Sequence, residues 1–143
     1  FKTLVAIKDI PLLLYLVIAS RNRNSVKAIL QECIADTKLI TPELLNRQYQ
    51  LSRIKGTTWL LYSTLKNAKD TSKMKDHLSR IRSPTLLIWG ERDLIFPLSV
   101  GESLHQAIKG SKWQIIEKSG HIPMWETPEK VNQTILDFLK ESS

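Results

Sequence analysis

Two short loops in the last third of the chain carry residue types suited to acid–base chemistry: Gly90-Glu91-Arg92-Asp93 and Ser119-Gly120-His121-Ile122-Pro123. A carboxylate bonded to one imidazole nitrogen holds the ring in a single tautomer and stabilises its protonated form, leaving the other nitrogen free as a general base. Imidazole suits that work because its unperturbed pKa, about 6.5, lies close to working pH. Each residue alone has an ordinary explanation, a turn-stabilising Asp after a strand or a loop His satisfied by backbone. Only their pairing points to catalysis, so the elements that position them decide the reading.

Thr85-Leu86-Leu87-Ile88-Trp89 is continuously apolar, which suits a strand covered on both faces, as in a parallel sheet. Pro97 is expected to open a helix through Leu98–Ile108, with Val100, Leu104, Ala107 and Ile108 at helical spacing and Gly110 stopping it. Lys112-Trp113-Gln114-Ile115-Ile116 then reads as a second strand, and a helical connection implies that the two strands are parallel neighbours. Asp93 lies four residues past Trp89 and His121 five past Ile116, so both leave the carboxyl edge of the sheet, where open α/β folds place ligands. Adjacent strands lie about 4.8 Å apart, which makes an Asp–His hydrogen bond between the loops natural. Thr127 is the expected cap and Pro128 the start of a final helix, with Val131, Ile135, Phe138 and Leu139 facing the sheet.

Residues 81–93, Ile-Arg-Ser-Pro-Thr-Leu-Leu-Ile-Trp-Gly-Glu-Arg-Asp, and residues 120–129, Gly-His-Ile-Pro-Met-Trp-Glu-Thr-Pro-Glu, resemble the last third of an α/β-hydrolase-fold enzyme. The resemblance implies that Asp93, in a WGxxD loop, is the triad acid and that His121, in a GHxPxxExP loop, is the triad base. The acid-before-His order agrees with that superfamily. A nucleophile elbow of G-x-S-x-G type is missing: Gly56 is the only glycine before Gly90, and Gly101-Glu102-Ser103-Leu104-His105 lacks the second glycine and falls inside a helix. The reaction implied is hydrolysis of an ester, thioester, lactone or C–C bond, with the nucleophile supplied from outside this chain. An upstream Asp nucleophile would instead imply epoxide or haloalkane hydrolysis, with His121 activating water. A non-catalytic binding module descended from a hydrolase is the contrasting reading.

The expected fold is therefore α/β: residues 83–143 form the C-terminal, strand-helix-strand-helix section of the hydrolase core, and residues 1–82 an all-helical cap or lid. Two strands and two helices do not cover both faces of a sheet, so a missing N-terminal half, another chain or self-association is expected to complete it. A chain that opens on Phe1 instead of Met agrees with a piece of a longer protein, although processing also removes starts. In the lid, the run Ile10–Ala19 is too short to cross a bilayer. Further helices are expected from a cap at Asn24 or Ser25, from Thr41-Pro42, from Gly56-Thr57 to near Asn67, and over 76–81. Trp59, Tyr62, Leu13 and Leu14 are candidates to face a small-molecule substrate, as is Ile122 beside the histidine, although helical spacing of such residues is also what core packing produces.

Charge divides the chain. Residues 1–82 carry fifteen Lys/Arg against six Asp/Glu and residues 83–143 six against eight, for a formal net charge of +7. A basic lid can steer anionic substrates or dock on anionic membranes, but the cations are scattered and no nucleic-acid-binding motif accompanies them, so neither a nucleic-acid nor a membrane partner is expected. Cys33 is the only cysteine, which rules out an internal disulfide and leans towards the cytoplasm; it reads as a buried, inert thiol. His77 and His105 read as surface or structural residues. No metal-ligand spacing or phosphate-cradling glycine loop is present, so no metal or cofactor is expected.

Overall fold

A computed structural model describes residues 11–66 and 77–141. Of these, residues 11–31 and 40–66 form a helical unit, and residues 32–39 and 77–141 form a unit built on the sheet.

The helical unit holds α1 (Pro11–Ala19), most of α2 (Arg23–Cys33), α3 (Pro42–Ser52) and α4 (Thr57–Lys66). In α1, Leu14 and Ile18 lie one helical turn apart and are fully buried against Tyr62 of α4, with Leu65 packed alongside. Tyr15 meets Tyr62 edge-on at 5.8 Å. The rest of α1 is less covered, and Leu12, Leu13, Leu16 and Val17 are exposed. The expected cap of α2 shifts by two or three residues: the Asn22 side chain accepts from the N–H groups of Asn24 and Ser25, and the Ser25 hydroxyl accepts from the Asn22 N–H at 2.9 Å. Ser25 thus plays the return role in a reciprocal cap. Thr41 caps α3 as expected, its hydroxyl accepting from the Leu44 N–H with Pro42 in the first turn. A backbone N–H, and after it that hydroxyl, hold the Glu43 carboxyl below its ordinary value. Arg23 bonds Asn46 and lies over the Tyr49 ring, which ties α2 to α3. Asn67, where the fourth helix was expected to end, lies outside the described residues, as does Asp76; of the helix expected over 76–81, only His77 and Leu78 are helical.

In the sheet unit, β1 (Leu86–Gly90) and β2 (Lys112–Ile116) pair in parallel, from Leu86 against Lys112 to Gly90 against Ile116. α5 (Leu98–Ala107) connects them, and Pro97 is its cap residue rather than its first helical one. Gly101 brings α5 close to the sheet, since a Cβ there would run into the Trp113 ring. His105 has the structural role expected of it, bonding Ser111 at 2.8 Å and stacking on Trp113. β1 is only half-buried except at Gly90, because among the described residues the sheet has two strands. α6 (Pro123–Glu126) and α7 (Pro128–Glu141) close the chain. Thr127 does not cap α7 through its side chain: its hydroxyl donates back to the Pro123 carbonyl, while its own carbonyl accepts from the Val131 N–H. Of the expected stripe, Val131 is buried and Phe138 half-buried, but Ile135 and Leu139 remain exposed.

Candidate active site

The loops after β1 and β2 are laced together by hydrogen bonds apart from any made by Asp93 and His121. The Glu91 N–H donates to the Ile116 carbonyl, the Arg92 N–H to Ser119 at 2.8 Å, and the Lys118 N–H to the Glu91 carboxylate at 2.9 Å. So close an approach requires glycine at both crossing points. A Cβ on Gly90 would collide with the Gly120 carbonyl, and one on Gly120 would lie 2.5 Å from the Cys33 carbonyl.

Asp93 is fixed from two sides. Its Oδ1 accepts the N–H groups of Ile95 at 2.8 Å and Phe96 at 2.9 Å, an Asx turn that folds the loop back. The Trp89 indole N–H donates to the Phe96 carbonyl and anchors the far end of that turn on the strand. Oδ2 is left for His121, whose Nδ1 lies 2.9 Å away. The Asp93 side chain is 5% exposed and that of His121 32%. A carboxylate only accepts, so Nδ1 carries the proton and the Nε2 lone pair is free. Beside the pair is a cavity of about 260 Å³ whose walls include Ile88, Trp89, Phe96, Met124 and Ile135. An apolar wall next to a free imidazole nitrogen suits proton transfer to and from a substrate held out of water.

A third carboxylate, whose role the sequence reading missed, holds the histidine loop. Glu126 Oε1 accepts the Gly120 N–H at 2.7 Å and lies 3.4 Å from the Ser119 hydroxyl, which donates to it; Oε2 accepts the Ala35 N–H at 2.7 Å. The His121 N–H in turn donates to the Cys33 carbonyl at 2.8 Å. Residues 32–39, expected to belong with the helical segment, thus act as a strap across the site. The signal available was Glu126 itself, five residues past His121 and just ahead of Thr127-Pro128. Cys33 is half-buried, and its thiol is pushed up in pKa by burial and by the carboxylates of Glu32 and Asp93, which suits an inert thiol.

Ile122, half-buried, precedes α6 and adjoins His121. Tyr62 lies in the core of the helical unit, 9% exposed, and Trp59 beside it is 65% exposed at a ring distance of 5.5 Å. Leu14 is fully buried and Leu13 is 41% exposed. Among the described residues, no group of His, Cys, Asp or Glu is arranged to hold a metal ion, and no helix is long and apolar enough to cross a membrane.

The family model for the alpha/beta hydrolase fold matches residues 17–128. A 2-hydroxy-6-oxononadienedioate/2-hydroxy-6-oxononatrienedioate hydrolase of Paraburkholderia phymatum is 30% identical over 118 residues, covering 81% of this chain and 41% of the relative. The dihydrolipoyllysine-residue acetyltransferase component of the acetoin cleaving system of Pseudomonas putida is 28% identical over 128 residues, 87% of this chain and 33% of the relative. Among solved structures, the 2-hydroxy-6-oxo-6-phenylhexa-2,4-dienoate hydrolase of Rhodococcus sp. strain RHA1 superposes with a TM-score of 0.75 at 14% identity, over 89% of this chain and 47% of that one. The chain thus spans less than half the length of these relatives. With parallel strands joined by a helix, two loops meeting at one sheet edge and a family match over most of its length, the chain belongs to the alpha/beta hydrolase fold family.

Proposed function

We propose that this chain supplies the acid and base of a nucleophile–His–acid triad, and that the whole protein hydrolyses a bond next to a carbonyl carbon. The observation that carries the proposal is the 2.9 Å contact between His121 Nδ1 and the buried Asp93 carboxylate, beside an apolar-walled cavity. A hydroxyl nucleophile contributed by residues outside this chain attacks the carbonyl carbon and passes its proton to His121 Nε2. Asp93 stabilises the imidazolium that results. His121 then returns the proton to the leaving group as the bond to the carbonyl carbon breaks. A water molecule repeats the sequence to release the acid and restore the nucleophile. Ester, thioester and lactone carbonyls fit this scheme. So does a C–C bond beside a ketone, and the Paraburkholderia phymatum relative, named for hydrolysis of a 2-hydroxy-6-oxo-dienedioate, makes that class the first to assay. Completion of the two-stranded sheet by further strands, from the same polypeptide or another chain, belongs to the same proposal.

The test uses the whole protein. Turnover of an aryl ester and of a 2-hydroxy-6-oxo-dienoate is compared between the native protein and His121→Ala. A loss of about 10²–10⁴-fold in kcat supports the assignment, whereas His121→Ala turning over every accepted substrate at the native rate would sink it.

A further inference from the structure

The helical unit holds a polar cavity of its own, and its walls are cationic. Its described residues carry seven Lys/Arg against one acid, a net charge of +6. Three of those cations, Arg21, Arg53 and Lys55, line one cavity of about 250 Å³ together with Ser52, Gly56 and Thr58. Taking a water molecule as about 30 Å³ of liquid, the space admits a group several times that size.

Arg21 is held in place there. Its Nη2 donates to the Ser52 carbonyl at 2.6 Å and to the Thr58 hydroxyl at 3.3 Å, which fixes the plane of the guanidinium. Its Nε and Nη1 are buried and have no partner. A guanidinium has five N–H donors and keeps its charge throughout the working range, so it does not escape this arrangement by losing a proton. Unfilled buried donors are rare because each forfeits its hydration, and an unseen ion or water is their usual explanation. The surroundings sharpen the demand for negative charge: burial and the neighbouring Arg53 both push against the charge on Arg21. The unit's one described acid does not answer it, since the Glu43 carboxylate is engaged with Thr41. Among the described residues, no carboxylate pairs with Arg21, Arg53 or Lys55.

We infer that the Arg21–Arg53–Lys55 cavity is an anion-binding site for a phosphate group, held by the free Arg21 donors and the two flanking cations. A dianionic tetrahedral group matches three cations better than a monoanionic carboxylate does, and Arg and Lys are the usual phosphate donors. This site stands apart from the proposed hydrolytic chemistry and would survive its failure.

The experiment is calorimetric titration of the full chain at low ionic strength with inorganic phosphate, repeated with acetate. Saturable one-to-one binding of phosphate, tighter than that of acetate, is expected. Arg21→Gln also removes the bond to Ser52 and can unfold the unit, so the deciding variant is Arg53→Gln with Lys55→Gln, two exposed positions. With its circular dichroism unchanged, that variant should bind phosphate about tenfold more weakly, because two charge contacts are gone. No saturable phosphate binding, equal binding of acetate, or unchanged affinity in the double variant overturns the inference. Flotation with phosphatidic acid vesicles, set against pure phosphatidylcholine vesicles, separates the two sources of the group. Recruitment that depends on Arg53 and Lys55 assigns the phosphate to a lipid headgroup, and phosphate binding without recruitment assigns it to a soluble ester.

Discussion

The helical unit closes around Leu14, Ile18 and Tyr62, while the sheet unit ties its functional loops with hydrogen bonds from Asp93, Glu126, Glu91 and the backbone of Cys33 and Ala35. Apolar contact is not directional, so the first arrangement tolerates shifts of a side chain. Bonds to backbone groups fix position to within a fraction of an ångström, which acid–base transfer requires. Exposed apolar side chains are common to both: Leu12, Leu16, Trp59 and Leu60 of the helical unit and Leu94, Met124, Leu136 and Leu139 of the sheet unit are each more than half exposed.

The contrast is tested most severely by Asp93→Asn. The Asn oxygen can still accept from Ile95 and Phe96, but its amide would face His121 Nδ1 and force the proton onto Nε2. The expected result is a fall of about 10²–10⁴-fold in kcat of the whole protein with little change in thermal stability; equal losses of both would mean that Asp93 is chiefly a structural residue. Next is Leu14→Ala, which removes the centre of the apolar cluster and should cost about 2–5 kcal/mol in urea unfolding. A loss well under that range would show that the helical unit is not held by this core. Glu126→Gln should cost about 1.5–3 kcal/mol, because charge-assisted bonds to two backbone donors are weakened. Faster amide exchange at Ala35 and Gly120 should accompany it, and native exchange rates there would remove Glu126 as the tie. The smallest effect belongs to Trp59→Ala, at about 1 kcal/mol or less in stability, since the ring is mostly exposed and, among the described aromatic rings, touches Tyr62 alone. A raised KM in that variant would keep Trp59 as a substrate contact, and an unchanged KM would remove it.

Much of the site is legible in the residues. The apolar run 85–89, the helix after Pro97 and the run 112–116 imply two parallel strands, and that geometry alone delivers Asp93 and His121 to one edge. The cap at Thr41 follows the ordinary preference of its residue type. Caps were harder to place where several candidates stand together. In Asn22-Arg23-Asn24-Ser25, both Asn residues and the Ser can cap, and Asn22 wins because Ser25 returns a bond to it. Thr127 failed as a side-chain cap because the short α6 ends on it and takes its hydroxyl.

What the sequence determines by itself is local and periodic: which runs are helical or extended, which glycines sit at turns, and that an acid and an imidazole follow two parallel strands. What the tertiary structure decides is which backbone groups meet. The strap from Cys33 to Ala35 binds the histidine loop through a carbonyl and an N–H, and those groups are the same in every residue, so nothing in the side chains announces the contact. The same holds for Arg21: its residue type promises a charge, but only packing between Ser52, Thr58 and Arg53 leaves two of its nitrogens buried and unfilled.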